Sequence, residues 1–141
     1  MARAAGARAV RAPGRLDPKL RVWIVFAGRV KFGDGRADLL DRVAALGSFK
    51  KAVTEVGMSY RAAWGYFREL ERAAGVRFLE RHPGGGPEGG TRLTPEGRRF
   101  LERYRRFRRG LDREAARRFR DCFEVGGSDR RSPRRPPTGE R

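Results

Sequence analysis

The sequence predicts a mainly α fold with a small β wing: a winged helix-turn-helix followed by one long helix. Three observations carry that reading. Gly57 separates two short apolar-periodic runs, each opened by a serine, Ser48 and Ser59. A glycine-rich stretch from Pro83 to Gly90 lies between two short β-forming segments. Thr94 and Pro95 then open an apolar repeat that continues to about Glu124. Helix, glycine turn, capped helix, strand, loop, strand and capped helix is the order of a helix-turn-helix with a wing.

Each element has its own local cause. Residues 1–18, with Pro13, Gly14 and Pro18, read as a disordered basic arm. Arg21 to Phe32 concentrates β-formers around Gly28, giving one or two short strands, and Gly33, Asp34 and Gly35 read as a stop. A first helix is expected over Arg36–Leu46, with Leu39, Leu40, Val43 and Leu46 as its stripe and Gly47 as its break. Ser48 caps the second helix, where Phe49, Ala52, Val53 and Val56 repeat at helical spacing. Gly57 makes the tight turn, and Ser59 caps the third helix. Thr94 and Pro95 supply a hydroxyl cap and a proline in the first turn of the last helix. Residues 19–97 therefore read as the winged helix-turn-helix domain, 98–125 as the long helix and 126–141 as a disordered Arg/Pro tail.

On that last helix Phe100, Tyr104, Phe107, Leu111, Ala115, Phe119 and Phe123 recur every three or four residues. The stripe is long for a small domain to cover alone. Phe100, Tyr104, Phe107, Leu111 and Phe119 are therefore expected to form a homodimer seam; packing across the domain's own core is the alternative. Gly110 marks a candidate kink.

Composition narrows the partner. Among 141 residues, 34 basic against 17 acidic side chains give a net charge of +17, which suits a polyanion. Most of the excess lies outside residues 19–97, and lysine occurs only at Lys19, Lys31, Lys50 and Lys51. Charge alone does not separate DNA from RNA or an acidic membrane surface. The single cysteine, Cys122, excludes an intramolecular disulfide, and with the single His82 it makes no usual zinc site, so no metal or cofactor is expected. No stretch approaches the roughly 18 apolar residues of a membrane span, so a cytoplasmic protein without membrane contact is expected. No nucleophile, base and acid stand in a recognisable order, which argues against an enzyme.

A helical wheel assigns the candidate DNA contacts. Ala63, Phe67, Leu70 and Ala74 share one face of the third helix, while Arg61, Gly65, Arg68 and Arg72 share the opposite one. Arginine can hold guanine O6 and N7 with two hydrogen bonds, so this face is expected to read a major groove. Taken alone it would be an ordinary solvated arginine face; the flanking motif is what favours readout. Ser48, Lys50, Lys51 and Thr54 on the second helix and Ser59 and Tyr60 at the turn fit backbone contacts. Tyr60 and Trp64 also border the core stripe. Arg81 and Arg92 flank the Gly84–Gly90 loop, which lacks a following Gly-Lys-Ser/Thr and so reads as a wing rather than a nucleotide cradle. Glu69 and Glu71 look like surface pairing for Arg68 and Arg72.

Gly47-Ser48, the run from Gly57 through Ser59, Tyr60, Ala63 and Trp64, Arg81, the glycine loop and Leu93-Thr94-Pro95-Glu96-Gly97 together resemble the N-terminal domain of ModE-type molybdate-responsive regulators. The likeness covers roughly residues 20–120. Leu70, Glu71, Gly75 and the Leu-Thr-x-x-Gly ending also resemble LysR-type heads. Val53 departs from the small residue expected in the second helix. The resemblance implies a homodimeric, sequence-specific regulator of double-stranded DNA whose third helix enters the major groove. It also implies a C-terminal oxyanion-sensing module. Only the Arg/Pro tail follows the long helix here, so molybdate binding is not expected. The alternatives are a nonspecific nucleoid-like or RNA-binding basic protein, and an adaptor that binds a partner through the long helix.

Overall fold

The computed structural model describes residues 15–83 and 90–124. Expectations for the basic arm before Arg15, the wing tip 84–89 and the tail from 125, including the absence of molybdate binding argued from that tail, lie outside the described residues. The elements are β1 (Ile24–Phe26), β2 (Val30–Phe32), α1 (Asp34–Leu46), α2 (Phe49–Val56), α3 (Tyr60–Ala74), β3 (Leu79–His82), β4 (Gly90–Leu93) and α4 (Pro95–Phe123). They form a helix-turn-helix with two separate antiparallel hairpins, β1–β2 and β3–β4. Among the described residues, no helix is long and apolar enough to cross a membrane.

The β1–β2 hairpin closes on two residues with positive φ, Ala27 at 51° and Gly28 at 67°, and Arg29 N–H donates to Phe26 O at 3.1 Å. Two left-handed residues in succession match the right-handed twist of the strands they join. Ile24 pairs with Phe32 and Phe26 with Val30, so the alternation turns Val30 and Phe32 into the core and leaves Lys31 exposed.

Helix α1 starts two residues earlier than the sequence suggests. Gly33, Asp34 and Gly35 begin the helix instead of ending the strand, and Ala37 N–H donates to Gly33 O at 3.0 Å. The cause is long-range: the Asp34 carboxylate accepts from Tyr104 Oη at 2.6 Å and from Arg108 Nε at 3.1 Å, both on α4. Partial burial pushes this carboxyl up, but the hydrogen bonds from Arg108 and Tyr104 and the charges of Arg108 and Arg105 outweigh burial and hold it below its ordinary value. Arg105 adds contacts to Asp38, at 2.9 Å, and to Asp41. Three acids of α1 thus register α4 against it.

The turn between α2 and α3 follows the local signals. Ser48 Oγ accepts from Lys51 N–H at 3.2 Å and Ser59 Oγ from Ala62 N–H at 3.3 Å, each satisfying a free donor of a first turn. Gly57 adopts φ 71°, a left-handed conformation that a residue with a Cβ takes only at a cost. Phe49, Ala52 and Val53 of α2 meet Ala63, Phe67 and Leu70 of α3 in one core with Leu39, Leu40 and Val43 of α1. Val53 is accommodated there, almost fully buried. Burying a side chain such as Phe67 is worth about 1.5–3 kcal/mol.

Leu93 to Gly97 closes the domain. Thr94 N–H donates to Phe78 O at 2.9 Å, its hydroxyl donates to Arg77 O, and its oxygen accepts from Gly97 N–H at 3.0 Å. A Cβ on Gly97 would collide with the Phe78 carbonyl, so only glycine lets α4 lie this close to β3.

Helix α4 runs without interruption through Gly110, and its apolar stripe divides in two. Phe100 packs on Phe26, Phe32 and Phe78 at ring distances of 5.2, 4.8 and 5.3 Å, and Tyr104 is 2% exposed against Phe32. These two belong to the domain's own core, not to a dimer seam, because β1–β2 supplies the covering surface. Beyond them Phe107 is 45% and Phe123 62% exposed, with Leu111 and Phe119 half-buried.

The lowered Asp34 carboxyl fixes a pH dependence. Its stabilisation is fully present above the unfolded-state value and is lost as pH falls through the lower folded-state value. Asp34→Asn should destabilise the protein by about 1–2 kcal/mol at neutral pH, toward the low end because the carboxyl is half exposed. In urea titrations this deficit should shrink as pH drops below the ordinary carboxylate range; a deficit independent of pH would show that shape, not charge, makes the contact.

Candidate nucleic-acid interface

Helix α3 presents its polar face to solvent as a ridge. Ala63, Phe67 and Leu70 are buried, while Arg61, Gly65, Arg68 and Arg72 are all exposed. The face expected from the 100° wheel is therefore the face observed, except that Ala74 is half-buried rather than core. Nothing lies within 4 Å of where a Gly65 Cβ would stand, so the middle of the ridge is open to close approach. Arg61 and Arg68 make no ion pair among the described residues, whereas Arg72 is held by Glu69 at 2.9 Å. Glu71 turns the other way, toward Arg77 at 3.6 Å. Burial pushes its carboxyl up, against the Arg77 charge and the Phe78 and Leu79 amides.

On one flank of the ridge a groove of about 1090 Å³ separates α3 from β3. Arg61, Arg68 and Arg72 line it from α3, Arg77 and Arg81 from the β3 side, and Trp64 is also in its lining. Lys50, Lys51 and Thr54 are exposed on α2, and the Thr54 hydroxyl donates to Lys50 O at 2.9 Å. Ser48 and Ser59 are committed as caps through their oxygens and keep only a hydroxyl proton to donate. Arg92 projects from β4 opposite Glu80 in the hairpin register.

Arg81 does something the sequence does not announce. Its guanidinium lies 4.3 Å over the Trp64 ring and donates to Tyr60 Oη at 2.8 Å. Trp64 in turn lies 4.2 Å from the Phe49 ring, and Tyr60 packs edge-on to Phe49 at 5.6 Å. Cation, indole and phenyl ring form one stack from the wing through α3 to α2. The sequence places Arg81 only as a residue flanking the glycine loop; the structure turns it back onto the first turns of α3. A sequence signal existed only in part, in the aromatic residues placed four apart at 60 and 64.

Residues 36–98 match the bacterial regulatory helix-turn-helix protein, lysR family. The chain is 35% identical over 100 residues to the molybdenum transport protein ModE of Azotobacter vinelandii, covering 68% of this chain and 36% of that protein. It is 33% identical over 69 residues to the DNA-binding transcriptional dual regulator ModE of Escherichia coli K12, covering 49% and 26%. The molybdenum-pterin-binding protein MopB of Rhodobacter capsulatus is 34% identical over 74 residues, covering 52% and 27%. The chain thus spans about a quarter to a third of the length of these curated relatives. A solved CbnR DBD–DNA complex aligns with a TM-score of 0.47 at 28% identity, over 60% of this chain and 93% of that one.

The Arg81 stack has its own test. The chain has two tryptophans, so Trp23→Phe leaves Trp64 as the sole indole reporter. In that background Arg81→Ala should red-shift the emission, open it to acrylamide quenching and cost about 0.5–1 kcal/mol of stability. Arg81→Lys should do nearly the same, because an ammonium cannot stack flat and donate sideways at once. Wild-type emission in the lysine variant would mean that charge alone suffices.

Proposed function

We propose that this chain, whose residues 36–98 form a helix-turn-helix domain of the lysR type related to the ModE regulators, is a sequence-specific regulator that binds double-stranded DNA as a homodimer. The observation that carries the reading is the open ridge of α3, where two arginines with no ion pair among the described residues flank a glycine on the exposed face of a helix-turn-helix. A helix with its side chains is about 10–12 Å across, close to the roughly 12 Å of a B-DNA major groove. Gly65 lets the helix axis approach the base edges. Arg61 and Arg68 then reach guanine O6 and N7, and Arg72 joins them once it leaves Glu69. Lys50, Lys51 and Thr54, with the hydroxyls of Ser48 and Ser59, hold the adjoining phosphates and set the register without reading sequence. Arg92 holds backbone from the wing. Arg81 and Tyr60 act through the stack, fixing the angle between wing and α3.

The homodimer reading rests on the second half of α4. Phe107 and Phe123 are exposed, Phe119 stacks on Phe123 at 4.9 Å, and Leu111 follows Phe107 by one helical turn, half-buried. A second copy laid along this stripe would cover it and bring two ridges to two half-sites. Replacing both Phe107 and Leu111 with Glu should give monomers by analytical ultracentrifugation and weaken binding to a two-half-site duplex. Dimers that survive both changes would place the seam elsewhere.

Duplexes enriched from a random library, scrambled duplexes and single-stranded RNA competitor test the DNA reading. Arg61→Ala or Arg68→Ala should cost about 1–3 kcal/mol on the enriched site and much less on scrambled duplex. Lys50→Ala or Lys51→Ala should weaken both duplexes about equally and shallow the salt slope by about one. Equal losses for the arginine variants on both duplexes would make them phosphate contacts. The net charge of +17, most of it outside residues 19–97, would then favour a nonspecific basic protein.

A further inference from the structure

Helix α3 has a second flank, and the residues that face it are not accounted for by the contacts above. Tyr60, Trp64 and Glu71 point toward the β3 side, while Tyr66 and Glu69 point toward β1–β2, where a groove of about 500 Å³ is lined by Arg29, Lys31, Arg36, Gly65 and Glu69. Gly65 borders both grooves, so the ridge stands between two hairpins. The β1–β2 hairpin is fixed there: Tyr66 Oη donates to Lys31 O at 2.6 Å. Burial pushes the Tyr66 hydroxyl up to about 12, against the Arg36 charge, so the donor keeps its proton at neutral pH. The Arg36 guanidinium lies 4.4 Å over the Tyr66 ring and reaches Met58 Sδ at 3.1 Å, tying the start of α1 to the α2–α3 turn.

The charge of this groove is one-sided. Arg29, Lys31 and Arg36 make no ion pair among the described residues; Lys31 Nζ only rests 5.3 Å over the Trp23 ring. Glu69, the one carboxylate in its lining, is already held by Arg72. Arg29, the last residue of the turn, and Lys31 of β2 are exposed and line this groove together with Gly65 and Glu69 of α3.

We propose that the β1–β2 hairpin is a second backbone-gripping arm, in which Arg29, Lys31 and Arg36 hold the phosphates bordering the groove that α3 enters, on the side away from the β3–β4 wing. This rests on the DNA reading above. A helix that fills the major groove leaves its flanks facing the two sugar-phosphate strands, not base edges. Cations fixed on the flanks therefore meet phosphate. They raise affinity and its salt dependence but carry no sequence preference.

The test uses Arg29→Ala with Lys31→Ala, which spares the Lys31 carbonyl used by Tyr66; a matching pair of changes to Gln guards against a folding defect. As a charge-matched control, Arg103→Ala with Arg106→Ala removes two exposed cations from α4. Affinity for enriched and scrambled duplex is measured between about 0.05 and 0.2 M salt. Loss of two phosphate contacts should flatten the salt slope by about 1.8, so the fall in affinity across this range becomes about tenfold smaller. It should do so on both duplexes, with the control unchanged. Wild-type affinity and slope in the hairpin variants, or an equal change in the control, would overturn the arm. If the arm fails while Arg61→Ala still abolishes specificity, the DNA reading stands; if the wild type binds no duplex, both fall.

Discussion

The geometry of this molecule depends on how closely the chain can approach the Phe78 carbonyl. That single oxygen accepts the Thr94 amide and lies where a Cβ on Gly97 would have to sit. Phe78 immediately precedes β3, and Thr94 follows β4 and caps α4, so one contact joins the base of the wing to the start of the long helix. The Thr94 side chain completes it by bonding to Arg77 O on one side and Gly97 N–H on the other. Were α4 lifted by even a methyl group, Phe100 would leave the rings of Phe26, Phe32 and Phe78. Tyr104 would then lose its reach to Asp34, and the whole seating of α1 would follow. Close packing transmits such shifts rather than absorbing them.

Charge is distributed along that scaffold by partner, not by density. Arg105 and Arg108 on α4 are occupied by the acids of α1 and, for Arg108, also by Asp112. Arg117 and Arg118 share Glu114, whose carboxyl they pull down to about 2 by hydrogen bonding. On α3 the pairing is sparser: among the described residues Arg61 and Arg68 make no ion pair, while Arg72 is held by Glu69. Arg98, Arg103, Arg106, Arg109, Arg113 and Arg120 of α4 also make no ion pair among the described residues, so what distinguishes α3 is where its open cations sit, on either side of the exposed Gly65, and not their number. A cation already engaged must give up a partner before it can take a phosphate.

The parts of this fold that were legible in the sequence are those with local causes. Ser48, Ser59 and Thr94 each bond an amide three residues on, and Gly47 and Gly57 each take the left-handed conformation their positions suggest. The 3.6-residue period assigned the buried and exposed faces of α3 almost residue by residue. What escaped were contacts made across long separations. Asp34 looked like part of a stop because Tyr104 and Arg108 lie about seventy residues away, a distance over which no local rule operates. Phe100 and Tyr104 share a stripe with Phe107 and Phe119, and periodicity cannot say where along a helix the covering surface ends. Arg81 and Arg92 read alike from the sequence, both flanking a glycine loop; only the neighbouring indole separates them.

That separation bears on how such a reading head would work. An arginine laid on Trp64 and bonded to Tyr60 has lost most of its side-chain freedom before any ligand arrives, and the strand β3 it belongs to is tied to α3 with it. The Tyr66–Lys31 and Arg36–Tyr66 contacts do the same for the opposite hairpin. Both devices use aromatic residues of α3 itself, one on each flank, so the helix that carries the exposed arginines also sets the position of the two arms beside it. Ordering cost met during folding is not met again on association. Two residues left unconstrained on the ridge, Arg61 and Arg68, then retain the freedom needed to fit base edges, while the flanks that meet a uniform backbone are held. Rigid flanks with an adjustable centre suit a surface that must accept one regular strand geometry and still discriminate among sequences within it.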